Sequence, residues 1–323
     1  MHRKALYGLL LVGLIAAPWI GAYPVFVMKV LCFALFAAAF NLLIGYTGLL
    51  SFGHAMFLAT AGYMTGYSIQ SLGFAPLPGV LAGTAAATLL GLVVGSFAIR
   101  RQGIYFAMVT LALAQLVYFI YLQAPFTQGE DGLQGVPRGK LFGLLDLSSD
   151  LALYYVVLLV TVLAFLLIVR VVHSPFGQVM KAIRENEPRA ISLGYDTDRF
   201  KLLAFVLSAG LAGLAGAMKV LVLGFETLGD AYWTMSGLVI LMTLVGGMGT
   251  LFGPLLGAAI IVTLEDRLGD IGNALAQWTH IAWFASLGES TTIAIGFIFI
   301  VCVLAFRRGI VGEIVARVRV LRA

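Results

Sequence analysis

Residues 30–99 carry no formally charged side chain, an uninterrupted run of 70 positions. A membrane-spanning helix takes about 20 mostly apolar residues, so this run alone has room for three crossings. Charge-free stretches also cover 5–28, 102–129, 151–169, 202–218, 231–264 and 290–306. At the same length they take one, one, one, one, two and one crossings, about ten spans in all. The 34-residue stretch 231–264 is tight for two crossings, and one of them is alternatively re-entrant. The chain is 61% hydrophobic and 11% charged, where a soluble domain holds about 25% charged residues. That excludes a water-soluble enzyme, a disordered tail or a nucleic-acid-binding domain as a reading of the whole chain. The expected fold is an all-α polytopic helical bundle in the lipid bilayer, one transmembrane domain over 1–323. Cys32 and Cys302 stand alone in apolar runs and imply neither a disulfide framework nor a metal site.

Basic residues orient the bundle. With ten spans and both termini inside, fifteen Lys and Arg fall on the inner side, and Lys29, Arg138, Lys140 and Arg267 on the outer side. The orientation is therefore cytoplasmic for both termini, including the basic tail 307–323. Lys219 falls near the outer end of a span and is read as snorkelling to the interface. Ala5 to Ala22 resembles a signal peptide but is read as an uncleaved first span, with Trp19 and Tyr23 as its aromatic belt. Ten acids, among them Glu130, Asp131, Glu226 and Asp230, are expected on the outer face, where they suit a partner with basic contacts or simple solvation. From Leu268 through Ile271, Leu275 and Trp278 to Ala282 and Ala285, apolar residues recur at helical spacing, the pattern of an amphipathic helix on the bilayer surface.

Two glycine-rich segments interrupt otherwise apolar sequence. One runs from Gly45 through Gly48 to Gly53 and His54, the other from Gly246, Gly247 and Gly249 to Gly253-Pro254. Backbone freed from a helix at membrane depth must be satisfied by protein or by a water-filled cavity, so each break is either a turn between spans or the lining of a pathway. Asn41, Thr47, Ser51, His54, Thr110 and Gln115 are the candidate pathway residues. For His54 an interhelical hydrogen bond is the favoured reading over a proton relay or ligand contact. No acid falls firmly within a span, which argues against an ion-coupled pump. Ser208, Gly210, Ala212, Gly213, Gly216 and Ala217 form a small-residue stripe suited to close helix packing.

The sizeable inner loop is 173–200. Ser174 is a candidate N-cap with Pro175 at the first helical position, giving a short helix to about Asn186. Pro188 starts another, which Gly194 closes. Such a helix–break–helix, with Ala190, Ile191 and Leu193 among charges, is a docking element; a turn would need only a handful of residues.

From Ala182-Ile183-Arg184-Glu185-Asn186-Glu187 to Leu193-Gly194 the loop resembles the coupling loop of ABC importer permeases. Asn41 to His54, Gly103 to Ala112, Asp131-Gly132-Leu133, Gly246 to Pro254 and Arg307-Arg308-Gly309-Ile310-Val311-Gly312 resemble, in order, the branched-chain amino acid permease family in its M-type subunit. Pro188, Arg189, Gln128 and Glu130 depart from its usual residues. The resemblance implies a type II ABC importer-like permease in a bacterial inner membrane. It also implies a second homologous permease subunit, two cytoplasmic ATPase subunits holding ATP and Mg, and a periplasmic substrate-binding protein. No cofactor is expected on this chain, which has no GxxxxGK[ST] sequence and is a transport subunit, not an enzyme. Arg184, Glu185, Glu187, Ala190, Leu193 and Gly194 are the implied ATPase-coupling residues. Urea, amides or aromatic acids are alternative substrates within the family, and a passive channel for small neutral solutes is the rival class.

Overall fold

The computed structural model describes residues 12–279 except 22, 142 and 144, together with 296–297, 300, 304 and 309–313; of 141, 145, 271–276, 278 and 279 the backbone alone is described. The helices are α1 (Pro24–Thr47), α2 (His54–Gln70), α3 (Pro76–Ala98), α4 (Ile104–Gln123), α5 (Asp150–His173), α6 (Pro175–Glu185), α7 (Glu187–Ser192), α8 (Thr197–Leu223), α9 (Leu228–Ala231), α10 (Trp233–Gly246) and α11 (Gly253–Thr279). Five of them, α1, α3, α4, α5 and α8, are long and apolar enough to cross a membrane. Of the expected span at 5–28, residues 5–11 and 22 lie outside the described residues, while 12–20 are helical and 24–28 already belong to α1; the expected span at 290–306 lies largely outside them.

Two helices form the centre. In α1 every residue from Leu31 to Thr47 is buried, as an all-round apolar helix must be when it has neighbours on every side. It packs against α5, α8, α10 and α11. The second central helix, α8, packs against α1, α2 and α3. Its small-residue stripe serves that packing: a Cβ on Gly216 would lie 2.0 Å from the Leu58 carbonyl oxygen, and one on Gly213 would lie 2.4 Å from Ala87 Cβ. By contrast α3 and α5 turn Leu89, Phe97, Leu159 and Leu163 outward, an apolar periphery matched to lipid, and α4 also exposes Met108 and Phe119.

Helix lengths position the breaks. At 17 and 14 residues, α2 and α10 are shorter than a full crossing. Each is joined to a long helix through a six-residue break, 48–53 between α1 and α2 and 247–252 between α10 and α11. The stretch 231–264 therefore holds one short helix and the first part of a 27-residue one. Both breaks turn on a glycine of positive φ, Gly48 at 77° and Gly249 at 76°, which is costly for any residue with a Cβ.

At the far end of the bundle short strands tie the loops. β1 (Leu133–Gln134) pairs antiparallel with β4 (Phe225–Glu226), and β2 (Lys140–Leu141) with β3 (Leu145–Asp146). Arg138 donates to Asp150 at 2.5 Å and to the Val222 carbonyl at 3.0 Å, clamping the 124–149 connection onto α8.

Three expectations are corrected here. Lys219 does not snorkel: it is 3% exposed and ion-paired with Glu226 and Asp230. Those two acids accordingly do not belong to an exposed outer surface, because a buried ammonium requires buried counter-charges. The stretch from Leu268 to Thr279 is not a separate surface helix; its backbone continues α11 without a break, and Ala282 and Ala285 lie outside the described residues.

Candidate functional site

The break between α1 and α2 is held from both sides. Thr110 Oγ1 accepts from the Phe52 N–H at 3.2 Å, and Ser51 Oγ accepts from the Gly53 N–H at 3.2 Å. A Cβ on Gly53 would lie 2.7 Å from the Thr110 carbonyl oxygen, so glycine is what lets α4 approach the break. Thr47 Oγ1 bonds back to the Leu43 carbonyl. The freed N–H groups of Phe52 and Gly53 thus find protein partners, as membrane depth demands.

His54 opens α2 inside an aromatic cage of Phe40, Phe57 and Phe205, with ring centroids 5.0, 5.5 and 6.1 Å away. Its Nε2 lies 2.8 Å from Ser208 Oγ, and Ser208 donates to the Ala39 carbonyl at 2.6 Å. Because the single Ser208 proton is committed to that carbonyl, His54 donates through Nε2–H. Of the two roles open to His54, the structure displays the interhelical bond. The Ala55 N–H donates to Ser236 Oγ at 2.9 Å, joining α2 to α10. Ser208 and Ser236 were not singled out for this from the sequence; the one available signal was a hydroxyl within the small-residue stripe.

Asn41 joins the two breaks. Its Nδ2 donates to the Thr250 carbonyl at 2.9 Å and its Oδ1 accepts from the Gly249 N–H at 2.8 Å. A Cβ on Gly45 would lie 2.2 Å from Asn41 Oδ1 and 2.8 Å from Gly249 N, so only glycine leaves room for this contact. Gly246 meets the start of α11 as closely: its Cβ would fall 1.8 Å from the Gly253 carbonyl oxygen. Gly309, from the Arg307-Arg308-Gly309 motif, packs on Gly247, where its Cβ would be 2.4 Å from the Gly247 Cα.

The 173–200 segment folds as its capping signals require. Ser174 Oγ accepts from the Gly177 N–H at 3.3 Å at the start of α6, and Asn186 Oδ1 accepts from the Arg189 N–H at 3.1 Å at the start of α7. Gly194, with φ of 87°, closes α7. Arg184 reaches from α6 to donate to the Gly45 carbonyl, and the Lys181 ammonium lies 5.8 Å from the Tyr46 ring centroid.

The candidate coupling residues therefore divide. Glu185, Leu193 and Gly194 are exposed, together with Ile191 and Tyr195. Ala190 is buried, and Glu187 is turned inward to pair with buried Lys201 and accept from Thr197. Those two brace the segment and do not face outward, because Lys201 needs a counter-charge. Among the candidate pathway residues, Asn41, Thr47, Ser51, His54 and Thr110 are buried. Gln115 instead borders an open groove on α4 with Ala112, Leu116, Phe119, Ile120 and Gln123.

Residues 25–305 match the family described as branched-chain amino acid transport system / permease component. The chain belongs to this family. It is 32% identical over 258 residues to the high-affinity branched-chain amino acid transport system permease protein LivM of Escherichia coli, covering 71% of this chain and 60% of that protein. It is 25% identical over 191 residues to a probable LivM of Methanocaldococcus jannaschii, 56% of this chain and 54% of that one. The ribose import permease protein RbsC of Bacillus subtilis is 33% identical over 117 residues, 34% of this chain and 36% of RbsC. The chain thus spans about three-fifths or less of the length of these relatives. No solved structure matches it. As a permease-family protein with five helices of spanning length and apolarity, it is a multi-pass membrane protein.

Proposed function

We propose that the chain is the membrane-spanning permease subunit of an ATP-driven importer for branched-chain amino acids, set in a bacterial inner membrane with both termini cytoplasmic. A second homologous permease, two ATPase subunits that hold ATP and Mg, and a periplasmic binding protein complete the assembly. The observation that carries this reading is the α6–α7 segment: it presents Ile191, Leu193 and Tyr195 outward while Arg184 reaches back into the helix break. An apolar tip braced on the bundle and connected to its interior suits the receipt of force from a docked ATPase.

Packing supports one route for substrate. Phe36, Phe40, Phe57, Phe106 and Phe205 fill the centre of the bundle. Solute therefore moves along the α4 face, where Gln115 and Gln123 offer hydrogen bonds in apolar surroundings and a second permease supplies the opposite wall. Purification of the tagged chain from native membranes tests the assembly. The expected partners are P-loop ATPases and a second permease, and the reconstituted complex with its binding protein takes up leucine, isoleucine or valine at the expense of ATP. Preferential uptake of urea, an amide or an aromatic acid would reassign the substrate; recovery of the chain alone, with passive solute flux, would replace the importer by a channel.

A further inference from the structure

We propose that Asn41 and Arg184 form a latch through which movement of the 173–200 segment reaches both glycine-rich breaks at once, an inference that rests on the transport reading above. The geometry converges on a single point of the backbone. Arg184 Nη1 donates to the Gly45 carbonyl. One turn earlier on the same helix, Asn41 grips the second break through both of its amide groups, at 2.9 Å to the Thr250 carbonyl and 2.8 Å to the Gly249 N–H. Gly249 touches both partners: a Cβ there would lie 3.0 Å from Arg184 Nη1 and 3.2 Å from the Gly45 carbonyl oxygen. Gly48 lies under the Arg184 stem, its Cβ position 3.2 Å from Cγ.

Each bond uses a backbone group that the local helix leaves free or shares. The carbonyls in the last turn of a helix lack intrahelical partners, and Gly45 lies in the last turn of α1. Gly249 and Thr250 lie in the break itself. Asn41 is 3% exposed, so its amide has no water to fall back on when the loop moves. A displacement of α6 pulls on Gly45 through Arg184, and the end of α1 cannot shift without carrying the Asn41 pair and hence the α10–α11 loop. Asn41 thus acts through other residues as a positioning residue, with no contact to solute required of it. Gly309 packing on Gly247 gives the same loop a second wall.

The test uses the complete complex, with both permeases, the ATPases and the binding protein, in proteoliposomes. Asn41→Ala, Arg184→Met and the double variant are compared for ATP hydrolysis and for uptake per ATP hydrolysed. Methionine keeps the stem over Gly48 and removes the donor. Each single variant is expected to assemble, to hydrolyse ATP, and to lose about tenfold or more in uptake per ATP, the scale of an ordinary coupling energy. The double variant is expected to lose no more than the worse single one, because both break one connection. Uptake per ATP within about twofold of wild type in either single variant, or losses that multiply in the double, overturns the latch. Should Asn41→Ala fail to assemble, Asn41→Asp decides: it keeps the acceptor for Gly249 and removes the donor to Thr250, so unchanged coupling refutes the role and lost coupling supports it. A wild-type complex without ATP-driven uptake overturns the transport reading and the latch with it, before any variant is made.

Discussion

Lys219 Nζ lies 2.6 Å from Asp230 Oδ1, with both side chains almost wholly excluded from solvent. Its second counter-charge, Glu226 Oε2, is 3.3 Å away. Asp230 is anchored in turn, because its Oδ2 accepts from the Thr227 N–H at 3.1 Å and from Thr227 Oγ1 at 2.7 Å. Glu226 is pressed against α2, where a Cβ on Gly62 would lie 2.4 Å from its Cδ. The end of α8 and the β4–α9 connection are therefore joined by charge, and Glu226 packs that cluster against α2.

Removing the cation strands two buried carboxylates. Lys219→Met is expected to destabilise the protein by about 3–5 kcal/mol, the usual cost of breaking a buried pair from one side. Glu226→Gln should cost less, since it leaves a balanced Lys219–Asp230 pair and keeps the shape against Gly62. Thermal unfolding of the detergent-purified variants checks the order. Equal melting temperatures for wild type and Lys219→Met would show that the cluster has no part in stability.

The charge-free runs made the helices legible, because an apolar stretch long enough to span has few other ways to satisfy its backbone. Capping chemistry did the same for the 173–200 segment: Ser174-Pro175, Pro188 and Gly194 act over three or four residues and stand where those signals put them, while the Asn186 cap before Pro188 became visible only in the structure. Partners distant along the chain were not legible. Lys219 looked like a residue near an interface because its counter-charges, seven and eleven positions on, were counted as surface acids. Glu187 read as outward-facing because nothing local betrays Lys201 beneath it. Asn41 registered as a costly polar side chain, yet the use made of it, gripping a loop 208 positions later, depends wholly on the fold.

Glycine positions divide by what stands opposite. A Cβ on Gly257 would fall 1.8 Å from the Met242 carbonyl oxygen, a backbone atom fixed in α10, whereas one on Gly237 meets nothing within 4 Å among the described residues. Gly257→Ala must force α10 and α11 apart and is expected to cost at least about 1–3 kcal/mol, as overpacking does. Gly237→Ala fills open space inside a helix and should be neutral or stabilising by about 0.5–1 kcal/mol, the entropy that glycine otherwise loses on folding. Melting temperatures of the two variants differ in sign on this account; a destabilised Gly237→Ala would place an unrecognised contact on that face of α10.

Docking through the α6–α7 tip predicts that binding and folding separate there. Ile191 and Leu193 are 56% and 68% exposed, so charged replacements lose little packing within the chain. On an apolar contact, by contrast, each aspartate must be desolvated without a partner, and that penalty falls on association alone. Ile191→Asp with Leu193→Asp should leave the melting temperature of the isolated chain unchanged and reduce ATPase co-purification by about tenfold or more, the effect of losing central interface anchors. Lys201→Met should do the reverse. It leaves the tip chemistry intact but strands Glu187, loosening the segment from α8, so stability falls first and association follows from it. Should the double aspartate variant retain its ATPases, contact would have to lie elsewhere on the 173–200 segment, and exposed Glu185 on the far side of Asn186 would be the next residue to exchange.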